Sequence, residues 1–414
     1  MANASAGQSA LTVVATIKGG AGERTALLDM LDAREQAVLQ AFAAVETLHF
    51  GRFVVFDCAD GKSALSFESN YDGSEPDHLA ELQRRLGAHL DAIFAACEGY
   101  AAGAFSEFAA KMSRPANAFY VGHGGLPVAW IRNDDAVRAA LEAKLDELDA
   151  GGHLASMSPR SVVDALRSHL ATTGLKIGPF DRGLPKQPSA ERSLYAMVVP
   201  MVAVAAVAAV VAGIGYEPRD AWREKKDPPK LLSDHDPGVS ALIDAEDLAS
   251  QNGLTHVVAL KAGAFRRATA RFVLWVVEQV HRKALFRGDL SGIASIHFAR
   301  WVLLGDGTLV FFSNYDGSWE AYLGDFVDKA HIFLTAIWTN TKWFPKTRFL
   351  IFGGASAEST FKQWTRTFQV RNPIWYSAYD HLTVTNVLNN AEIRERAGGS
   401  FERDDDVRAW LALL

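Results

Sequence analysis

Hydrophobic and polar positions along the chain trace one pattern twice. A β-branched run at residues 11–18 (LTVVATIK) predicts a strand, as does its counterpart at 254–261 (LTHVVALK). Each leads into a helical stretch, ending near Glu46 in the first case and Arg287 in the second. Two further strand-like runs then flank a polar turn. They are 48–56 and 64–69 around 57–62, and 296–304 and 309–313 around Gly305, Asp306 and Gly307, the latter a hairpin signature. An amphipathic helix follows at 76–97 and at 319–339, then an aromatic strand and a last helix.

The residues repeat as well as the pattern. Lys18 and Gly20 fall over Lys261 and Gly263, HFGRFVVF at 49–56 matches HFARWVLL at 297–304, and SNYDGS occurs at 69–74 and 313–318. AFYVGHGGLPVAWIRND at 118–134 parallels IWYSAYDHLTVTNVLNN at 374–390. The matches keep their order over roughly 140 residues, so the chain is an internal duplication. The element order β-α-β-β-α-β is that of the ferredoxin-like split unit. The expected fold is therefore α+β: two tandem ferredoxin-like repeats, at 1–150 and 254–400, forming a pseudo-dimeric barrel with room for a ligand. A linker at 151–253 and a tail at 401–414 complete the chain.

Within that linker, residues 194–216 (LYAMVVPMVAVAAVAAVVAGIGY) carry no charge, and only Pro200 interrupts the run. At ~1.5 Å per residue this is enough to cross a hydrocarbon core of ~30 Å, so an inserted apolar, membrane-type helix is expected. A helix buried in protein is the other reading. A single crossing would strand the repeats on opposite sides of a bilayer and leave apolar sheet faces open. Both repeats are therefore expected on one side, in the cytoplasm, with the apolar helix in or against the membrane.

Composition narrows the function classes. Hydrophobic residues make up 49% and charged residues 22%, as in globular proteins, and a net charge of −6 without a basic block lacks the footprint of a nucleic-acid binder. Cys58 and Cys97 show no metal-ligand spacing and read as free thiols of a reducing compartment. The opening MANASAGQSA lacks the basic and apolar regions of a signal peptide. No Walker loop, G-x-S-x-G elbow, H-E-x-x-H or paired-cysteine zinc motif occurs.

Hairpin pairing makes a local prediction. With a turn near Asp306, His297 lies beside Asn314, Tyr315 and Asp316, and the same count sets His49 beside Tyr71 and Asp72. Each repeat then brings a His, an Arg three residues on (Arg52, Arg300) and an Asp to one end of its sheet. A carboxylate there raises the imidazole pKa and fixes its tautomer, as acid–base work or metal ligation requires. A structural role suits the same residues: Asn, Asp and Gly favour strand-turn-helix junctions, Ser74 and Ser318 are natural N-caps, and Asp77 is spaced as a capping partner. The halves also differ. The second holds seven tryptophans (Trp275, Trp301, Trp319, Trp338, Trp343, Trp364 and Trp375) against Trp130 in the first, and adds His331, Tyr379 and His381. Such an aromatic interior suits a flat apolar ligand.

This architecture, with HFARW…SNYDGSW in the second repeat, resembles the tandem α+β barrel proteins that include dye-decolourising peroxidases and chlorite dismutases. It is more similar still to a bacterial peroxidase-like group sharing that motif. Dye-decolourising peroxidases carry a G-x-x-D-G loop whose Asp sits over the haem. The nearest strings here, at 69–73 and 313–317, have Ser in place of the first Gly. The resemblance implies a membrane-associated, peroxidase-like oxidoreductase with haem between the repeats. His331, on the second helix of the second repeat, would be the axial metal ligand, with His297 next, and Trp301 and Trp338 would wall the pocket. His297 or Asp316 would handle protons and Arg300 would stabilise developing negative charge. The implied partners are an apolar small molecule or lipid, the membrane through 194–216, and a further copy of the chain as a homo-oligomer. A rival reading is a non-catalytic membrane-bound module for a lipid or other apolar ligand; a third is a cofactor-free monooxygenase or isomerase of the same fold.

Overall fold

The hairpin strands are buried along almost their whole length instead of alternating, as strands covered on both faces must be. The computed structural model describes residues 7–182, 230–232, 237–244, 246–284, 293–348 and 350–414. Its first half runs β1 (Gln8–Thr16), α1 (Ala21–Ala43), β2 (Leu48–Asp57), β3 (Ser63–Asp72), α2 (Glu75–Phe94), α3 (Phe105–Met112), β4 (Ala118–Val121), α4 (Val128–Ala150) and α5 (Pro159–Thr173). After α6 (Pro237–Asp244) the order returns as β5 (Gln251–Ala259), α7 (Ala264–Ala284), β6 (Ile296–Leu303), β7 (Thr308–Asp316) and α8 (Trp319–Trp338). A short hairpin of β8 (Thr347–Arg348) and β9 (Phe352–Gly353) precedes α9 (Glu358–Phe368), β10 (Ile374–Ser377), α10 (Val384–Ala397) and α11 (Asp404–Leu411).

The strands form two four-stranded antiparallel sheets, in the orders β1-β3-β2-β10 and β4-β6-β7-β5. Here the fold departs from two self-contained repeats, because each repeat gives its fourth strand to the other. β4 runs along β6, with Phe119 opposite Arg300, and β10 along β2, with Trp375 opposite Arg52. The exchanged strand covers an edge that would otherwise present unpaired amides and carbonyls. Gly122 at the end of β4 permits the approach: a Cβ there would collide with the Ile296 carbonyl.

Helices α1, α2 and α3 cover the outer face of the first sheet, and α7, α8 and α9 that of the second. The inner faces meet through Val14, Val54 and Phe56 against Val257, Val302 and Phe312. Among the described residues no strand is shared between the sheets, so a two-sheet sandwich replaces the expected closed barrel. Helices α4 and α10 pack on each other with reciprocal contacts: Arg394 donates to Asp134 at 2.8 Å, and Arg138 to Asn390 at 3.4 Å. Residues 151–182 are more than linker, since α5 joins α11 and α4 in an apolar cluster around Leu166 and Trp410.

The expected membrane-type helix is not part of the described architecture. Among the described residues no helix is long and apolar enough to cross a membrane. Residues 194–216, where that helix is expected, lie outside the described residues.

Candidate functional site

Two irregular steps place the imidazoles. The register of β2 with β3 slips between Leu48 and Phe50, and that of β6 with β7 between Ile296 and Phe298, leaving His49 and His297 at the slips. Gly73 and Gly317 follow the strand ends at φ +92° and +76°, a left-handed conformation that glycine adopts without penalty. Ser74 and Ser318 then cap α2 and α8, accepting from Asp77 N at 3.3 Å and Ala321 N at 3.2 Å. Much of SNYDGS is therefore folding chemistry.

Asp72 and Asp316 each hold two partners. One oxygen meets His49 Nε2 at 2.9 Å or His297 Nε2 at 2.7 Å. The other accepts the first backbone N–H of α4 (Val128, 2.8 Å) or α10 (Val384, 2.7 Å), where the helix dipole favours a negative charge. A carboxylate on Nε2 favours a proton there and leaves Nδ1 as the working nitrogen.

The exchanged strands deliver the remaining members. His123 follows β4 and Tyr379 follows β10, at equivalent positions of the duplication. Tyr379 Oη lies 2.7 Å from His49 Nδ1 and 3.2 Å from His123 Nε2. A hydrogen-bonded run Asp72–His49–Tyr379–His123 thus crosses from one half to the other. Symmetry would give His297 Nδ1 a hydroxyl in turn. His123 stands there instead, its ring centre 5.4 Å from that of His297, and His297 Nδ1 has no hydrogen-bond partner among the described residues. Gln8 steadies one side by donating to Leu126 O at 3.0 Å and accepting from Gly125 N at 3.0 Å. Gln251 steadies the other, donating to Tyr379 O at 3.0 Å and accepting from Ser377 Oγ at 2.7 Å.

The cluster is sealed: His49, His123 and His297 are each 0% exposed. Burial, then the neighbouring His297 and His49, hold the His123 pKa well below that of a free imidazole. Burial, then Asp72 and Asp316, hold the Tyr379 phenol well above its ordinary range. Both are neutral near pH 7, each with a proton to give or a lone pair to accept one.

Arg300 does not join His297 and Asp316. Its guanidinium crosses to the other sheet, donating to Leu11 O (2.7 Å), Thr12 Oγ1 (2.9 Å), Ser69 O (2.8 Å) and Glu68. Arg52 does the reverse, reaching Leu254 O (3.0 Å), Thr255 Oγ1 (3.2 Å), Ser313 O (3.0 Å) and Asn314, and pairing with Glu68 at 2.7 Å. The pleat that carries residue 300 inward is set by the strand; the acceptors it meets belong to the opposing sheet. Two buried guanidinium groups share one carboxylate, and desolvation lowers both Arg pKa values against the pull of Glu68. The Asn70 and Asn314 amides face each other beside them at 3.2 Å.

The remaining expected residues lie elsewhere. His331 sits half-buried on the flank of α8, its Nδ1 against the Val327 carbonyl of its own helix at 2.9 Å. Trp301 packs against Phe311 in a tilted pair with ring centres 4.4 Å apart, and Trp338 packs beside His256, both in the core between the second sheet and its helices. The space between the repeats is filled by the Arg–Glu–Arg group, Phe50 and Phe298. These residues do not fit a haem between the repeats. His381 is exposed and pairs with Asp135 at 2.9 Å.

Two other features stand apart from the cluster. Cys58, Asp60 and Asp306 meet where the hairpin turns touch, and they are the one group among the described residues with metal-ligand proximity. Asp306 already accepts from Ala59 N (2.9 Å) and Thr308 Oγ1 (2.6 Å), and burial, then Asp306 and Asp60, push the Cys58 thiol up to about 12, leaving it protonated. The second-half core holds a cavity of about 20 Å³ among Leu254, His256, Phe311, Trp338, Phe361 and Trp364. His256 is a site residue that sequence reading passed over, as is Glu68. In the aligned repeats they stand over Val13 and Phe312, so each marks a position where the halves diverge. His123 had the same signal, falling over Tyr379. Comparison with known proteins finds no matching family model, no matching curated protein and no matching solved structure.

Proposed function

We propose that the protein is an acid–base catalyst of the cofactor-free kind, an isomerase or monooxygenase of a small apolar substrate, with the central His–Tyr–Asp cluster handling protons. The observation that supports this reading is the run Asp72–His49–Tyr379–His123 beside His297 Nδ1, which has no partner among the described residues. An imidazole oriented by a carboxylate is suited to act as a general base, and a phenol that stays protonated can relay a proton by giving one as it accepts another. This role requires the sealed cluster to open and admit the substrate; His297 Nδ1 then takes the substrate proton, Asp316 stabilises the imidazolium, and Tyr379 passes a proton between His49 and His123.

The test is deuterium wash-in to a panel of small ketones and quinols by metal- and haem-free protein, read by mass spectrometry. Wild-type protein is expected to exchange a substrate carbon proton, with a loss of roughly 10²-fold or more in a folded His297→Gln variant. Equal exchange by both proteins, or none by either, overturns the reading.

A second reading, a non-catalytic module for an apolar ligand, is favoured by the aromatic core of the second half and its cavity. Ligand binding without any exchange activity would leave it in front.

A further inference from the structure

The loops that bring His123 and Tyr379 to the central cluster differ in their cover. Residues 121–126, around His123, are buried throughout, whereas Asp380 and His381 in the equivalent loop of the second half are exposed. Over the first loop lies the irregular strap 174–182 that follows α5. Its Arg182 carbonyl sits so close to Gly125 that a Cβ there would collide with it. With burial, His297 and His49 ahead of it, the Arg182 charge also helps to lower the His123 pKa, so that guanidinium is within electrostatic reach of the cluster.

The strap is held by separate, local contacts. The Asn133 amide clasps the Lys176 backbone, accepting from its N–H at 3.0 Å and donating to its carbonyl at 2.9 Å. Gly178 N–H donates to the Arg394 carbonyl at 3.0 Å, and the Arg394 guanidinium, oriented by Asp134 at 2.8 Å, donates back to the Gly178 carbonyl. Phe180 packs on Trp130 with ring centres 4.5 Å apart, and Arg182 reaches Glu395 at 3.5 Å. Lys176, Ile177, Pro179 and Asp181 are exposed. A segment without regular structure, largely exposed and held in this way, opens at lower cost than the sheets and helices beneath it.

We propose that strap 174–182 is a removable cover over the His123 loop, and that its release opens the way into the sealed cluster. The loop beneath reads Gly122-His123-Gly124-Gly125, a pliant run once uncovered. The second loop is already bare and the cluster is sealed all the same, so control of entry falls to the covered side. The inference takes its purpose from the catalytic reading above, but its test needs no turnover.

That test is amide hydrogen exchange on the full chain in wild type, Asn133→Ala and Phe180→Ala, with diethyl pyrocarbonate as a probe of His123. Each substitution cuts one strap contact outside the cluster, and either suffices if the other protein does not fold. The Gly125 and Leu126 amides, bonded to Gln8 Oε1 and the His123 carbonyl, are expected to exchange roughly tenfold faster, with His123 acylated faster by a similar factor. The Leu382 amide, bonded to the Tyr379 carbonyl at the equivalent place, and the exposed His381 are the references and should not change. Equal acceleration at Leu382 marks a general loosening of the fold and overturns the inference. So does unchanged protection at Gly125 and Leu126, or a His123 that stays unreactive while those amides exchange. An uncovered loop without deuterium wash-in to any substrate would sink the catalytic reading and leave the strap standing.

Discussion

The two halves keep one backbone and part company in their interiors. Both tie a bulged histidine through an aspartate to the start of a late helix: His49 and Asp72 to α4, His297 and Asp316 to α10. Both stack a tyrosine of the third strand on a ring of the next helix, Tyr71 on His78 and Tyr315 on Tyr322, at 3.8 and 3.9 Å. The differences fall on side chains inside that frame. Glu68 stands where the second half has Phe312, His123 where it has Tyr379, and Val13 where it has His256. Duplication thus fixed the parts that aim the chain and left the contents of each interior free to specialise. What is common to both halves aims the chain and orients the paired histidines; what differs, Tyr379 against His123 above all, decides what each histidine meets.

Acid provides the broadest attack on this comparison. Burial pushes His78 in the first half and His256 in the second down to about 3, and holds His123 well below its ordinary value. Such groups stay neutral in the fold while the unfolded chain takes up protons below ~6.5, so their contribution is intact above that pH and lost as pH falls towards 3. The expected slope is roughly 1.4 kcal/mol per pH unit per imidazole. Asp134, pushed up to about 6 by burial against the pull of Arg394, opposes it, losing stability as pH rises from ~4 to 6. Denaturant titrations at pH 7, 5 and 4 should show His78→Tyr and His256→Val each flattening the fall by one proton. An unchanged slope in either would mean that its imidazole is not held neutral.

Exchange at the charged centre comes next. Glu68→Phe, copying the second half, leaves Arg52 and Arg300 buried without a counter-charge and should cost about 3–5 kcal/mol. A loss under ~1 kcal/mol by chemical denaturation would show that backbone and amide acceptors alone can hold both guanidinium groups. Asp72→Ala and Asp316→Ala should each cost roughly 2–3 kcal/mol, since a histidine and a helix N-terminus lose the same acceptor. Equal costs mark the pair as architecture. A smaller cost at Asp316, with loss of exchange activity, would assign that aspartate to the chemistry. Tyr379→Phe is the mildest, near ~1 kcal/mol for one hydroxyl, and its imidazole signature is the ring resonance of His49 rather than that of His297.

Sequence pattern reached some of this and stopped for physical reasons. The pairing of His297 with Asp316 was countable because a short hairpin turn sets register. The bulge beside His297 was not, as nothing in Ile-His-Phe announces it. The strand exchange was also out of reach: a strand of four residues such as β10 pairs as well with one sheet edge as another, and connection geometry decides. Arg300 lies on the expected strand, but its partners belong to a sheet that lies across only in three dimensions. His331 was within reach. The buried stripe of α8 through Tyr322, Leu323, Phe326, Ala330 and Leu334 leaves residue 331 on the flank by helical spacing alone.

Exchange of the fourth strands has a consequence for biosynthesis. A ribosome releases Phe53 long before Ile374, its neighbour across the first sheet. While the second half is being made, β2 waits with an open row of amides and carbonyls, the kind of edge that pairs with other chains. Contacts this distant along the chain form slowly, because the loop between them must close first. The nascent protein therefore carries an unfinished sheet through most of its own translation. A stop codon just upstream of Ile374 removes only the tail of the message, yet the structure it breaks is the one translated first.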